Sequence, residues 1–215
     1  MQTDLYLVRH GETATNRAGL IQGWNSEPLN ARGCWQAERA GARLANVRLQ
    51  ALYTSPLDRA RETAAIIGRA VGLDIVLVDE LREMDTGAVS GLHSAQFMLR
   101  YPRLMWGWLR DDPALAFPGG DTLADFYARA RSAVDKLVAR HVGQAIAVIA
   151  HGGSIAGYLS LLLQGRGSNR IAWKLRNGAI CHVRWRGSEP PRLLALNDAT
   201  HLVEQLPRAY RPIEE

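Results

Sequence analysis

Cysteine is scarce in this 215-residue chain, which has only Cys34 and Cys181. The two lie far apart and form no CxxC pair, so the sequence predicts neither a disulfide framework nor a zinc site. Clusters of acidic residues are also missing, and we therefore expect no bound metal. No basic segment followed by an apolar stretch opens the chain, so no signal peptide is expected.

Long uninterrupted apolar runs are missing as well. The most apolar region, Ala145–Leu163, is interrupted by His151, two glycines and Ser154. A membrane span would carry these polar and flexible groups in hydrocarbon, and a strand, a turn and a helix explain the region better. We therefore expect a soluble, cytoplasmic protein that has no membrane partner.

Runs of like charge are absent, although 26 basic and 21 acidic residues give a formal charge of +5 and a pI of about 9.6. A positive surplus can attract nucleic acid or an anionic metabolite. Because the basic residues are spread along the chain and no nucleic-acid-binding motif accompanies them, we predict no nucleic acid partner. We expect most of the excess basic residues to lie on the solvated surface and a minority to form an anion pocket.

Short apolar segments alternate with helical patterns along the chain. Such alternation predicts an α/β fold, a three-layer α/β/α sandwich with a mostly parallel central sheet. Strands are predicted at Leu5–Val8, Ala51–Ser55, Asp74–Val78, Ala145–Ala150, Ala179–Trp185 and Arg192–Asn197.

Helices are predicted between these strands, with polar residues at their starts. The expected caps are Asn30 for the first helix, Ser55 with Pro56 at the first helical position for the second, and the pair Thr122 and Asp125 for the third. The helical segments are Asn30–Val47, Pro56–Gly72, Asp121–His141 and Gly152–Leu163.

The chain length and the 47% of apolar residues favour one domain over residues 1–215. The segment Glu83–Gly120 contains Trp106, Trp108 and three prolines, and it lacks a clear period. We interpret it as an irregular, cap-like insertion that shapes the choice of substrate. The last ten residues, from Leu206, are expected to form a loose end.

Basic side chains follow three of the predicted strands. Arg9 and His10 end the first strand, His151 ends the strand at 145–150, and the helix after the second strand carries Arg59. In open α/β sheets, ligands bind at the carboxyl ends of the strands. Helical side chains lean back toward the N-terminus, so Arg59 can reach that edge, whereas Arg61 points away. Two guanidinium groups match phosphate oxygens, and these residues together predict an anion site.

The same residues lie in motifs that resemble the histidine phosphatase superfamily. Its relevant branch contains cofactor-dependent phosphoglycerate mutases, fructose-2,6-bisphosphatase and many small phosphatases. The likeness covers about residues 3–203 and implies a phosphoglycerate mutase-like fold. In order, the motifs are LVRHGET (7–13), QGW (22–24), TSPLDRARETA (54–64), LREMDTGAVSGL (81–92), FPGGDTLADFYAR (117–129), VIAHGGSI (148–155) and LNDATHL (196–202).

The resemblance implies a role for each catalytic candidate. His10 is the nucleophile that becomes phosphorylated, and Glu83 donates a proton to the leaving oxygen. Arg9, Arg59 and a cationic His151 hold the phosphoryl group, and the cationic neighbours keep His10 neutral. No cofactor is implied. The residues expected on the substrate side are Arg9, Asn16, Gln22, Gly23, Arg59 and Gly152.

Three functions fit the resemblance. A metal-independent phosphomonoesterase, which hydrolyses a small phosphorylated metabolite through a phosphohistidine, is favoured by the chain length and by the PGGDT and LNDATHL elements. A cofactor-dependent phosphoglycerate mutase is the first alternative. A non-catalytic protein that binds a phosphorylated ligand is the second, and the intact set of catalytic candidates argues against it. The leaving group stays open, as does the oligomeric state, for which a homodimer is one alternative.

Overall fold

The computed structural model of the protein describes residues 1–164 and 174–203. The predicted loose end from Leu206 lies outside the described residues. Six strands occur in the described part, and each overlaps a predicted one. They are β1 (Gln2–Arg9), β2 (Ala51–Thr54), β3 (Ile75–Leu77), β4 (Ala145–Ala150), β5 (Ile180–Arg186) and β6 (Arg192–Asp198).

These strands form one sheet in the order β3-β2-β4-β1-β5-β6. The pairs β1–β4, β4–β2 and β2–β3 are parallel, whereas β5 and β6 run antiparallel to their neighbours. The predicted mostly parallel sheet is therefore confirmed. Arg9 lies opposite Ala150, and Thr54 lies opposite Ile149. The residues that follow β1, β2 and β4 consequently meet at one edge of the sheet.

Seven α-helices accompany the sheet in the described part of the chain. No described helix combines the length and the apolar character that crossing a bilayer requires. The helices are α1 (Ala14–Arg17), α2 (Ala31–Leu44), α3 (Asp58–Val71), α4 (Ser94–Arg100), α5 (Pro102–Leu109), α6 (Leu123–Arg140) and α7 (Gly152–Gln164).

Helices cover both faces of the sheet. Successive side chains of a strand point to opposite faces, and β1 shows this in Leu7 and Val8, which are both buried. Val8 packs in a cluster with Leu44 of α2 and Ile67 of α3. Leu7 packs in a second cluster with residues of α6 and α7, among them Leu159. The three-layer α/β/α sandwich is confirmed.

Two predicted helix caps are confirmed. The side chain of Asn30 accepts a hydrogen bond from the backbone N–H of Gly33 at 2.8 Å. Thr122 accepts one from the backbone N–H of Asp125 at 3.0 Å. Each cap satisfies a donor that the first helical turn would otherwise leave without a partner.

The predicted start of α3 is wrong. The helix begins at Asp58, and its N-cap is Leu57, which has an extended backbone and no side-chain cap. Ser55 therefore does not cap the helix, and Pro56 is not its first residue. Instead, the Ser55 hydroxyl accepts a hydrogen bond from the backbone N–H of Leu57 at 3.3 Å and contacts His151. The two-residue bend leaves Ser55 facing the neighbouring strand end.

The expectation of an irregular segment over Glu83–Gly120 is wrong in one respect, because the segment contains α4 and α5. The ring of Trp108 on α5 lies 5.4 Å from that of Phe97 on α4 and 5.0 Å from that of Phe117, centroid to centroid. Phe97 and Phe117 are buried in a third hydrophobic cluster, which also contains Phe126 of α6. This cluster packs the segment against α6.

Candidate active site

A cavity of about 1060 Å³ opens at the edge of the sheet where β1, β2 and β4 end. It brings together all but one of the predicted site residues. The exception, His151, is fully buried, and its ring centroid lies 5.2 Å from that of His10. The predicted residues that line the cavity are Arg9, His10, Asn16, Gln22, Gly23, Arg59, Glu83 and Gly152.

His10 follows β1 and is almost completely buried, with 2% of its surface exposed. Its Nδ1 lies 2.7 Å from the backbone oxygen of Gly11. Because a carbonyl oxygen can only accept, Nδ1 carries the proton and Nε2 keeps its lone pair. Burial, followed by the positive charges of Arg9 and Arg59, holds the pKa of His10 well below its usual value. The imidazole is therefore neutral, with a nucleophilic nitrogen available.

The loop after β1 is held by close backbone packing. A Cβ atom at Gly11 would lie 2.4 Å from the backbone oxygen of Gly33 on α2, so only glycine fits there. The backbone N–H of Gly11 donates to the hydroxyl of Thr63 on α3 at 3.0 Å. These contacts fix the carbonyl that orients His10.

Backbone carbonyl groups orient both arginines. Arg9 Nη1 donates to the oxygen of Leu175 at 2.5 Å. Arg59, which is 1% exposed, donates from Nη1 to Asn25 at 2.9 Å and from Nη2 to Gly23 at 2.8 Å. Their hydrogen-bond acceptors are neutral, and the charge of Glu83 acts on both guanidinium groups. Two guanidinium groups at one cavity suit an anion.

His151 follows β4, and its Nε2 lies 2.8 Å from the hydroxyl of Ser55. Burial holds the pKa of His151 well below its usual value, and the positive charges of Arg59 and Arg9 and the proximity of His10 lower it further. The expectation of a cationic His151 concerns the phosphoryl-transfer step and stays a prediction, whereas the free protein holds the ring neutral. The cause is the depth of the ring, because desolvation disfavours its charged form.

Several buried nitrogen atoms at this site have no hydrogen-bond partner in the protein. Among the described residues, they include the Nε atoms of Arg9 and Arg59 and Nδ1 of His151. Leaving a buried polar group without a partner costs about 1–3 kcal/mol. Two of these residues, Arg9 and Arg59, line the cavity together with the neutral His10. Their guanidinium groups can donate to a ligand with several oxygen atoms, such as a phosphoryl group.

Glu83 also lines the cavity, and its carboxylate lies against the N-terminus of α7. Its carboxylate accepts hydrogen bonds from the backbone N–H groups of Gly153 at 2.9 Å and Met84 at 3.0 Å. Two nearby carboxylates, Asp85 and Asp121, are not among the residues that line the cavity. The backbone N–H of Asp85 donates to Asp121 at 2.9 Å, so Asp121 contributes to the loop structure.

The substrate-side residues form a network of their own. Asn16 donates to the side-chain oxygen of Gln22 at 3.0 Å, and Gln22 donates to Thr13 at 2.6 Å and Glu27 at 2.9 Å. The side chain of Gln22 is thus engaged by the protein. Its contacts fix the loop that carries Gly23.

Asn177, which sequence reasoning missed, also lines the cavity. Its Nδ2 lies 3.1 Å from the backbone oxygen of His10, 3.3 Å from that of Gly11 and 2.9 Å from the side-chain oxygen of Asn16. The Asn-Gly pair before β5 signals a tight turn. That signal does not show that the turn reaches the end of β1.

The cap-like segment contributes Trp108 and Met84 to the cavity wall. Three other large side chains of this segment, Arg103, Trp106 and Arg110, are not among the lining residues. Within residues 1–164 and 174–203, no three His, Cys, Asp or Glu side chains are grouped so that they could hold a metal ion.

Comparison with known proteins identifies the family. A model of the histidine phosphatase superfamily, branch 1, matches residues 5–199. The chain belongs to the histidine phosphatase superfamily.

Relatives within this superfamily are similar over most of their length. Phosphoserine phosphatase 1 of Hydrogenobacter thermophilus is 30% identical over 97% of this chain and 99% of its own. The metal-independent phosphoserine phosphatase of Arabidopsis thaliana is 32% identical over 86% of this chain and 77% of its own. A solved mycobacterial glucosyl-3-phosphoglycerate phosphatase in complex with VO3 is 30% identical and has a TM-score of 0.81, with 91% of this chain and 99% of that chain covered.

Membership of the superfamily confirms several predictions from the sequence. The fold class and the enzyme class are as expected, and the protein is a phosphomonoesterase for small phosphorylated metabolites. The roles of individual residues stay predictions, and they are developed next.

Proposed function

We propose that this histidine phosphatase hydrolyses its substrate through a phosphohistidine formed on His10. The observation that carries the proposal is the pair of guanidinium groups, Arg9 and Arg59, that line the cavity together with the neutral imidazole of His10. A phosphoryl group supplies acceptors for these guanidinium groups and an electrophile for His10 Nε2.

In the first step, His10 Nε2 attacks phosphorus in line with the ester oxygen. The P–N bond forms while the P–O bond to the leaving group breaks, and Glu83 supplies the proton that the leaving oxygen takes. Arg9 and Arg59 stabilise the negative charge on the transferring phosphoryl oxygens.

In the second step, water attacks the phosphohistidine. Glu83, now a carboxylate, accepts the proton of the water, the P–N bond breaks, and inorganic phosphate leaves with His10 restored. The guanidinium groups of Arg9 and Arg59 stabilise the same oxygens in both steps, so one pocket serves the whole cycle.

The substrate is a small phosphorylated metabolite, and the cap-like segment 83–120 shapes its choice. Trp108 and Met84 of this segment line the cavity, whose volume of about 1060 Å³ is at the upper end of ordinary ligand pockets. Relatives named for phosphoserine and for glucosyl-3-phosphoglycerate support substrates of this class. Metal independence has the support of the Arabidopsis relative's name, and a cytoplasmic location stays a prediction from the sequence.

The test is a screen of phosphorylated metabolites that includes phosphoserine and glucosyl-3-phosphoglycerate, together with a mutase assay in the presence of 2,3-bisphosphoglycerate. We expect hydrolysis to dominate and an acid-labile phosphoryl adduct to map to His10 in quenched reactions. His10→Ala is expected to abolish turnover. Retention of more than a few per cent of activity, or an adduct on another residue, would contradict the proposal.

Glu83→Gln tests the proton donor. Loss of general acid catalysis costs about 10²–10⁴-fold, and the cost depends on how basic the leaving oxygen is. The variant is expected to lose most of this range on an alkyl phosphate and much less on p-nitrophenyl phosphate, whose phenolate leaves unaided. Equal losses on the two substrates would remove Glu83 from this role.

A further inference from the structure

The QGW segment places two catalytic candidates relative to each other. Trp24 is 40% exposed, yet its Nε1 donates a hydrogen bond to the backbone oxygen of Glu83 at 2.6 Å. The residues on either side, Gly23 and Asn25, offer their carbonyl oxygens to Arg59. Three consecutive residues thus contact both the arginine that faces the phosphoryl group and the candidate proton donor.

The backbone of this segment is tightly constrained. Gly23 has a φ of +52°, and a Cβ atom there would lie 2.4 Å from the hydroxyl oxygen of Thr86 and 2.6 Å from that of Ser90. Glycine is therefore required on both steric and conformational grounds. The constraint on Gly23 fixes the backbone position of Trp24. Because the indole N–H is then held in place, it can define the position of the Glu83 backbone oxygen that accepts from it.

A second contact holds the indole against the loop that carries Glu83. The guanidinium carbon of Arg82 lies 5.1 Å from the centroid of the Trp24 ring, within the range of a cation–π interaction. Arg82 immediately precedes Glu83. The face of the indole and its N–H therefore contact two adjacent residues of the same loop.

Arg129 of α6 also contacts the loop that carries Glu83. Its Nη1 donates to the backbone oxygen of Arg82 at 3.0 Å, and its Nη2 lies 3.4 Å from that of Glu83. A salt bridge of 2.8 Å to Asp121 fixes the guanidinium itself. Arg129 contacts the loop from α6, whereas the N–H of Trp24 links Glu83 itself to the segment around Arg59.

We propose that Trp24 is a positioning residue for the proton donor: its indole N–H fixes Glu83 relative to the phosphoryl group that Arg59 holds. The inference rests on the proposed function. A general acid acts only within hydrogen-bond reach of the leaving oxygen. A displacement of about 1 Å can cost 10²-fold in rate.

Trp24→Phe removes the N–H and keeps an aromatic ring over Arg82. We expect kcat/KM for an alkyl phosphate to fall by about 10- to 100-fold, with a much smaller fall for p-nitrophenyl phosphate. Vanadate affinity is expected to stay at the wild-type value, because Gly23 and Asn25 contact Arg59 through their backbone. Trp106→Phe is the matched control, since Trp106 is 55% exposed and its ring centroid lies 6.0 Å from the guanidinium carbon of Arg110.

The double variant Trp24→Phe/Glu83→Gln separates this inference from the proposed function. If Trp24 acts through Glu83, the double variant is no slower on the alkyl phosphate than Glu83→Gln alone. Additive losses, equal losses of Trp24→Phe on the two substrates, or a fall in vanadate affinity would overturn the role of Trp24. Failure of Glu83→Gln itself to discriminate between the substrates would instead overturn the assignment of the acid.

Discussion

The carboxylate of Glu83 accepts a hydrogen bond from the backbone N–H of Gly153 at 2.9 Å. Gly153 is the second residue of α7, so the carboxylate lies at the positive end of a helix dipole. A Cβ atom at Gly153 would lie 2.5 Å from Oε1 of Glu83. Because Gly153 has no side chain, the carboxylate of Glu83 can lie against the first turn of α7.

Gly153→Ala is expected to push the Glu83 carboxylate away from α7. Because a displacement of about 1 Å can cost 10²-fold, we expect a loss of this order in kcat/KM for an alkyl phosphate. The measurement compares Gly153→Ala with Gly153→Ala/Glu83→Gln. If the alanine costs as much without the Glu83 carboxylate as with it, the collision with Glu83 is not the cause of the loss.

Arg59→Lys is expected to be severely impaired although it keeps the positive charge. Arg59 donates to two backbone carbonyls and still has N–H groups for a ligand, whereas one ammonium group cannot reproduce this forked geometry. We expect a loss of about 10²–10³-fold in kcat/KM, together with weaker binding of vanadate.

Arg61→Lys is the matched control for this substitution. The Arg61 side chain is 52% exposed and pairs with Asp58 on the same helix, and we expect activity close to that of the wild type. Near-normal turnover in Arg59→Lys would remove Arg59 from the pocket.

Much of the site could be predicted because strand ends are visible in the sequence. Apolar segments that stop at Arg9 and Ala150 show where two strands end, and parallel strands end at the same edge of a sheet. The helical period then separates Arg59 from Arg61, and the structure agrees, with Arg59 buried and Arg61 exposed. This distinction depends only on the spacing of the two residues along the helix. It therefore stays correct although the predicted start of α3 is wrong.

Other features depend on contacts between distant parts of the chain. Asn177 reaches His10 from a loop that lies more than 160 positions later in the sequence. The charge of His151 depends on the depth of its burial, which local sequence does not specify. Helices α4 and α5 have 7 and 8 residues, too few for a helical period to stand out.

The buried histidines make stability depend on pH. The pKa of His151 is lowered in the folded protein, so between the folded value and the usual value of 6.5 the unfolded chain binds a proton that the native state does not. The neutral ring of His151 therefore contributes to the free energy of unfolding above about pH 6.5. This contribution is lost as the pH falls toward the lowered pKa. His151→Asn removes this linkage.

Urea unfolding at several pH values between 7.5 and 5 measures the effect. We expect the unfolding free energy of the wild type to fall on acidification more steeply than that of His151→Asn, by up to about 1.4 kcal/mol per pH unit. If the unfolding free energies of the two proteins fell in parallel with pH, His151 would have an ordinary pKa in the native state. That result would contradict burial as the cause of its lowered pKa.

Vanadate is expected to bind and stabilise the protein equally well with and without EDTA. The groups that face the ligand are the guanidinium groups of Arg9 and Arg59 and the imidazole of His10, and none of them needs a metal to bind an oxyanion. At a free concentration of 100 Kd, a ligand specific for the native state stabilises it by about 2.7 kcal/mol.

The experiment measures the Tm of the protein with vanadate alone, with EDTA alone and with both. Turnover is measured with and without EDTA in parallel. Arg59→Lys is expected to reduce the shift in Tm, and Arg61→Lys to retain it. Loss of either the shift or the turnover in EDTA, with recovery on addition of magnesium or zinc, would show that a metal takes part in binding the phosphoryl group.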